Sequence, residues 1–264
     1  MKTDKQLVDI FQEALKIVTF KKHWSMLSVN SDSKTVKGLK LGFLTGILYL
    51  APHKLSGFNI CPNAVTCIKS CLFNAGRGKF TSVIKARIKK TFFYTHFRSF
   101  FYDSLRYSIK SLIRKAEREN LDPCVRLNGT SDLNFYKSGL MEEAEFKNIQ
   151  FYDYTKNRLT NKQLTRLPKN YHLTFSFDNT EKNINYCKKS PLNFAVVFNT
   201  KKAEEFPKKF LGFKVVNGDE SDLRFLDKSK ICIGLTVKGS KKEINQGIKD
   251  NFIIQTDLSN LISN

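Results

Sequence analysis

Apolar residues recur along this chain in two rhythms, and the change from one to the other organises it. Over residues 4–20, Leu7, Val8, Ile10, Phe11, Ala14, Leu15, Ile17 and Val18 fall at helical spacing and predict an amphipathic helix. Residues 30–37 (NSDSKTVK) are polar and turn-rich, and residues 39–50 follow as a buried strand. From 80 to 118, apolar and basic positions alternate at a helical period, with Val83, Ile84, Ile88, Phe92, Phe97, Phe101, Leu105, Ile109 and Leu112 as the buried stripe. One helix of that length would span nearly 60 Å at about 1.5 Å per residue, so a break is expected between Tyr94 and Ser99.

From Pro123 the texture changes to short β-type runs that end in polar residues: 124–133, 149–157, 171–179, 192–200, 213–225 and 231–239. Helix-compatible segments lie between several of them, at 138–147, 161–167 and 200–206. With 39–50 added, about seven strands are predicted, close to the eight of a parallel (β/α) barrel. The expected fold is therefore α/β, a TIM-like (β/α) barrel, complete or partly open. It would form one domain over 1–264: an N-terminal helix and linker over 1–38 and the barrel over 39–258. A cysteine loop at 52–79 and a basic helical region at 80–118 would lie within the barrel.

Composition alters this picture in two ways. Apolar residues make up 41% of the chain and include 23 Phe, so a sizeable core is available and disorder is expected only at the ends. A formal charge of +21 predicts attraction to polyanions, with nucleic acid ahead of an anionic membrane; the plainer reading is a solvated basic surface. Lys85, Lys89 and Lys90 on the basic helices, together with Arg77, Lys79, Arg224 and Lys238, are the candidate phosphate contacts. No apolar run approaches the roughly 20 residues of a membrane span. The first ten residues carry acids in a helical pattern, unlike a signal peptide, so a cytoplasmic location without disulfides is expected.

The densest chemistry is in PHKLSGFNICPNAVTCIKSCLFNAGRGK, residues 52–79. Cys67 and Cys71 stand one helical turn apart and Cys61 approaches from the preceding loop, so three soft thiolates can address one metal and leave a fourth position open. An iron-sulfur cluster and zinc both suit that set; closure by His53 would instead make a structural zinc knot. AGRGK, at 75–79, puts two glycines and two cations at a helix entry, where an anion could dock. If the barrel forms, the exits of its strands carry the site. Asp132, Asp153 and Asp219 are then the candidate catalytic carboxylates, with an ion pair between Asp153 and Lys156 as the plainer alternative.

Three cysteines after the first strand of a (β/α) barrel resemble the radical S-adenosylmethionine superfamily, although the spacing here is C-x5-C-x3-C rather than C-x3-C-x2-C. That resemblance implies a 4Fe–4S cluster on Cys61, Cys67 and Cys71. It also implies S-adenosylmethionine held by Asn128, Gly129, Thr130, Ser131 and Ser176. A second resemblance covers nearly the whole chain: PHKLSGFNICPNA, CLFNAGRGK, RLNGTSDL, FYDYTK, NYHLTFSFD, AVVF and VVNGDESDLRFLD are similar to a gene-product-88 type of family encoded by bacteriophages and mobile elements. It implies a phage origin and a host-cell cytoplasmic location, with no established reaction. The leading expectation is an enzyme acting on nucleic acid or nucleotide. The alternatives are a zinc-stapled basic nucleic-acid-binding protein and a base glycosylase or transglycosylase with an aspartate nucleophile.

Overall fold

The computed structural model describes residues 4–30, 33–71 and 76–256. Helix α1, Asp4–Phe20, forms where the periodicity places it and buries Ile10 and Ala14. A helix α2, Ser33–Leu39, occupies most of the stretch 30–37 expected as a polar, turn-rich linker, and a short strand β1, Leu27–Val29, precedes it. Strand β2, Phe43–Leu48, follows. The basic region is two helices, α3 (Thr81–His96) and α4 (Arg98–Glu119), parted at Phe97, whose φ of −129° and ψ of 60° leave the helical region. Helix α4 stops at Asn120, a left-handed residue whose N–H returns to the carbonyls of Ala116 and Glu117.

Each of the six later β-type runs contains a strand. These are β3 (Asp122–Arg126), β4 (Gln150–Thr155), β5 (Tyr171–Ser176), β6 (Phe194–Phe198), β8 (Phe213–Asn217) and β9 (Ile231–Thr236). Two further strands, β7 (Lys209–Phe210) and β10 (Ile253–Ile254), are too short to leave a periodic signal. Between the strands stand α5 (Asn161–Leu164), α6 (Glu181–Lys189) and α7 (Lys241–Lys249); α5 and α7 open on capping boxes built by Thr160 with Gln163 and by Ser240 with Glu243. The segment 138–147 is compatible with a helix yet makes only short 3-10 turns.

The sheet is not a barrel. Its strand order is β1-β2-β3-β4-β5-β6-β9-β8-β7, with β10 added in parallel on β6. A barrel would need its last strand to close on its first. Here the chain order reverses after β6, because β9 inserts between β6 and β8. Both edges then end in antiparallel strands, β1 on β2 and β7 on β8, and no pairing among the described residues joins them. Apolar runs mark the longer strands but carry nothing about their order, which is why the barrel expectation fails.

The two faces of this sheet differ. On one, α4 lays Leu105, Ile109 and Leu112 over Leu44, Leu48, Val125 and Leu127, and the cluster continues through Phe93, Phe101, Phe135 and Phe151. Phe92, Phe97 and Phe101 from the basic region pack into or against this core, as the helical period predicts. On the other face the β8–β9 connection crosses the sheet as a strap. Its Leu223 and Phe225 pack on Phe43, Cys124 and Tyr152.

Candidate functional site at the strand exits

The cysteine loop runs over the C-terminal ends of β3, β4 and β5. Asp132 N–H donates to the carbonyl of Ile60 at 3.0 Å, and Thr66 Oγ1 donates to Asp178 Oδ2 at 2.8 Å. Cys61 Sγ accepts from His53 N–H at 3.3 Å and reaches the Thr130 carbonyl at 3.7 Å. Residues 72–75 and the side chain of Arg77 lie outside the described residues.

The three thiols share one neighbourhood but not one coordination point. Cys71 and Cys67 each raise the pKa of Cys61, and Cys71 raises that of Cys67, so the sulfurs feel one another's charge. Burial, the larger cause, pushes Cys61 up to about 12 and Cys67 up to about 11, the latter against the pull of Lys156. Both are thiols at neutral pH, a state that neither attacks a substrate nor binds a metal until the proton leaves. Among the described residues no group of three or more His, Cys, Asp or Glu side chains is placed to hold a metal ion. The cluster implied by the radical S-adenosylmethionine resemblance is therefore unsupported.

Most of the polar residues singled out at the rim are engaged in building it. Asn128 accepts from Ser131 Oγ at 2.8 Å and Leu133 N–H at 2.9 Å and donates to the Leu133 carbonyl at 2.9 Å. Thr130 Oγ1 donates to the Leu50 carbonyl at 2.6 Å. RLNGTSDL is thus a self-satisfied turn. Gly129 serves the close approach of two chain segments: its N–H donates to Leu48 O at 3.0 Å. A Cβ there would stand 2.8 Å from that oxygen.

Asp132 accepts from Thr155 Oγ1 at 2.7 Å and Lys156 N–H at 3.1 Å, and its pKa is raised because burial outweighs those bonds. Asp153 does not reach the rim. Strand alternation turns it into the helix-covered core, fully sealed from solvent, where it accepts from Asn128 N–H at 2.6 Å and Tyr171 O–H at 3.1 Å. Burial pushes its pKa up to about 7. Asp219 ties the exit of β8 to β9 by accepting from Thr236 N–H and Oγ1 at 2.8 and 2.7 Å. Asp132 is thus tied into the rim while only partly buried, and Asp153 is closed off in the core.

Lys156 lies under the cysteine loop, not beside Asp153. Its Nζ is 3.1 Å from Asp178 Oδ2 and donates to the Ser176 carbonyl at 3.2 Å, with both charged side chains buried. Of the candidate phosphate contacts, Lys90 is buried and donates to the Met26 carbonyl at 2.6 Å. Lys85 and Lys89 flank Glu13 at 3.8 and 2.6 Å, and Lys79 stands 3.7 Å from Glu243. Lys238 is exposed on the β9–α7 connection.

The face under the strap carries polar chemistry that apolar-run reading passes over. Register places Tyr152 beside His172 and Tyr154 beside Thr174. Arg126, which alternates with buried Val125, lies over the Tyr154 ring at 4.6 Å and pairs with Asp222 at 2.8 Å. Burial acts against the Arg126 guanidinium, but Asp222 and three tyrosines outweigh it and hold the charge. Burial, helped by the nearby Arg224 cation, pushes His172 down to about 4. Among the described residues Arg126 Nε, His172 Nε2 and Thr174 Oγ1 find no hydrogen-bond partner. A visible signal was present: in YHLTFS every second residue, His172, Thr174 and Ser176, is polar, which marks a polar face rather than a strand buried on both sides.

The fold and rim together define an open, mostly parallel α/β protein with a cysteine-bearing loop across its strand exits. Residues 23–255 match the family described as gene product 88, and the chain belongs to that phage-type family. No curated protein and no solved structure matches the chain significantly. Among the described residues no helix is long and apolar enough to cross a membrane.

Proposed function

We propose that this protein binds nucleic acid through its phosphate backbone, along the β7–β8 edge of the sheet. The observation that carries the reading is Lys209 opposite Lys214, direct register partners across the hairpin and both exposed. Like charges so placed destabilise a hairpin unless an anion lies between them. Neither lysine has a carboxylate partner among the described residues. Lys208 precedes β7, and Lys230 precedes Ile231, the partner of Lys214, so the cationic run continues across the edge. The formal charge of +21 supplies the long-range attraction.

Binding to a duplex should weaken steeply with salt, log K falling by about 0.9 per phosphate contact for each unit of log salt concentration. Lys209→Glu with Lys214→Glu should lower affinity at least about tenfold and reduce the salt slope by about two contacts. Fluorescence anisotropy with a labelled oligonucleotide measures both. An affinity indifferent to salt, or to the double substitution, removes this reading.

One observation favours a second reading, a soft metal at the cysteine loop: Cys61, Cys67 and Cys71 are three free, half-buried thiols on the one loop that runs over the strand exits. Its measurement is metal content after anaerobic purification. Stoichiometric iron with visible absorption, or stoichiometric zinc, lost in Cys67→Ser, supports it, and a metal content unchanged by that substitution rejects it.

A further inference from the structure

A cavity of about 290 Å³ opens between helix α2 and the strap that crosses the sheet. The exposed Lys37 and Lys40 stand at its mouth, Lys37 Nζ spending one of its three N–H donors on the Asp219 carbonyl at 2.8 Å, and Arg224, 2% exposed, lines its floor. The guanidinium is only partly used. Its Nη2 donates to the Ser221 carbonyl at 2.8 Å. Its Nη1 lies 3.2 Å from Asp227 Oδ2 without the alignment of a hydrogen bond, and its Nε has no hydrogen-bond partner among the described residues. Burying a charged group with N–H donors unspent is costly, and native structures keep such groups where something else completes them.

We propose that this cavity binds a phosphate group, held by Arg224 from the floor and by Lys37 and Lys40 from the mouth. Three cations face two carboxylates, Asp227 and Glu220, so the cavity favours an anion. Ser221 Oγ accepts from Leu223 N–H at 3.1 Å, which leaves its proton to donate. A guanidinium, a hydroxyl and two ammonium groups together suit a tetrahedral dianion better than a planar carboxylate, which has two oxygens to offer. The volume lies at the small end of ligand pockets, fitting a phosphate monoester. Asp227 is the competitor: its carboxylate occupies the side of Arg224 that the phosphate would take. Lys214 stands near the start of β8 and the cavity lies past its end, where Asn217 lines it, so the Lys209/Lys214 pair is not part of the lining and the proposal stands or falls independently of backbone binding at the β7–β8 edge.

The test is calorimetric titration of the full chain with inorganic phosphate, with Lys209→Glu/Lys214→Glu as the control for diffuse attraction. Saturable binding is expected, unchanged in that control. Lys37→Gln/Lys40→Gln, at exposed positions that leave the core intact, should weaken it about tenfold or more, the equivalent of one charge-assisted hydrogen bond. Asp227→Asn, which removes the competing charge while keeping the shape, should strengthen it. Arg224→Gln should abolish it with the circular dichroism spectrum retained; if that variant fails to fold, the lysine and Asp227 variants decide. Absence of saturable binding overturns the proposal, as does an affinity indifferent to the Lys37/Lys40 pair, weakened by Asp227→Asn, or lost in the Lys209/Lys214 control. Competition by a 5′-phosphorylated oligonucleotide but not by its hydroxyl-ended twin identifies the group as a strand terminus, and competition by neither identifies a free small phosphate ester.

Discussion

Asp153→Ala should cost about 4 kcal/mol of folding stability, because it leaves two buried donors without an acceptor at about 1–3 kcal/mol each and opens a void. The donors are Asn128 N–H and Tyr171 O–H, and all three residues lie in the core beneath the helices. Asp153→Asn should cost less, since its amide oxygen can still accept from Asn128. The pair also reports the charge on the carboxyl. With its folded pKa raised by burial to about 7, Asp153 holds a proton in the folded state that the unfolded chain has already released. The stability it adds is full below the ordinary carboxylate range and is lost as pH rises through 7. The advantage of wild type over Asp153→Asn should therefore be larger at pH 5 than at pH 8 in urea denaturation. A gap that widens with rising pH would mean that the carboxylate is ionised in the core, and the burial argument would be wrong.

That residue also shows what the sequence could and could not convey. FYDYTK announces a strand, and alternation sends Asp153 to one face and Tyr152 and Tyr154 to the other. Which face is apolar depends on what covers it. The helical period of 80–118 foretold the two long helices and their break at Phe97, because a buried stripe repeats over many turns. It could not foretell that α4 lies over Leu44 and Val125, and so that Asp153 faces the core. The reversal of strand order after β6 was equally hidden, since it depends on a strap whose Leu223 and Phe225 find Phe43 and Tyr152 far away in sequence. Arg224 was visible as a cation, and its role followed only once the strap buried it. The cysteine loop was the most legible part of the site, because its position follows from chain order alone: it leaves β2 at the end where the parallel strands β3, β4 and β5 also end. What local spacing lacked was the direction of the sulfurs.

Gly129→Ala should be the most damaging small substitution at the rim, and for a reason unrelated to ligand binding. A methyl group at this position would stand 2.6 Å from Tyr49 Cδ1, 2.7 Å from Ile47 Cγ2 and 2.8 Å from the Leu48 carbonyl oxygen. The tyrosine could swing aside, but the carbonyl is backbone and is itself the acceptor for Gly129 N–H. Relief therefore requires the exits of β2 and β3 to part, which breaks that hydrogen bond and disturbs the turn in which Asn128 holds Ser131 and Leu133. Overpacking of this kind costs about 1–3 kcal/mol before the broken bond is added, so a loss of about 3 kcal/mol is expected, with Tm lower by about 10 °C. The cysteine loop rests on the same turn through Cys61 Sγ and the Thr130 carbonyl, so Cys61 should also react faster with a thiol reagent in the variant. Calorimetry and thiol labelling read the two effects separately. A variant with unchanged Tm would show that the strand exits have room to part and that the close approach at Gly129 is not what limits stability there.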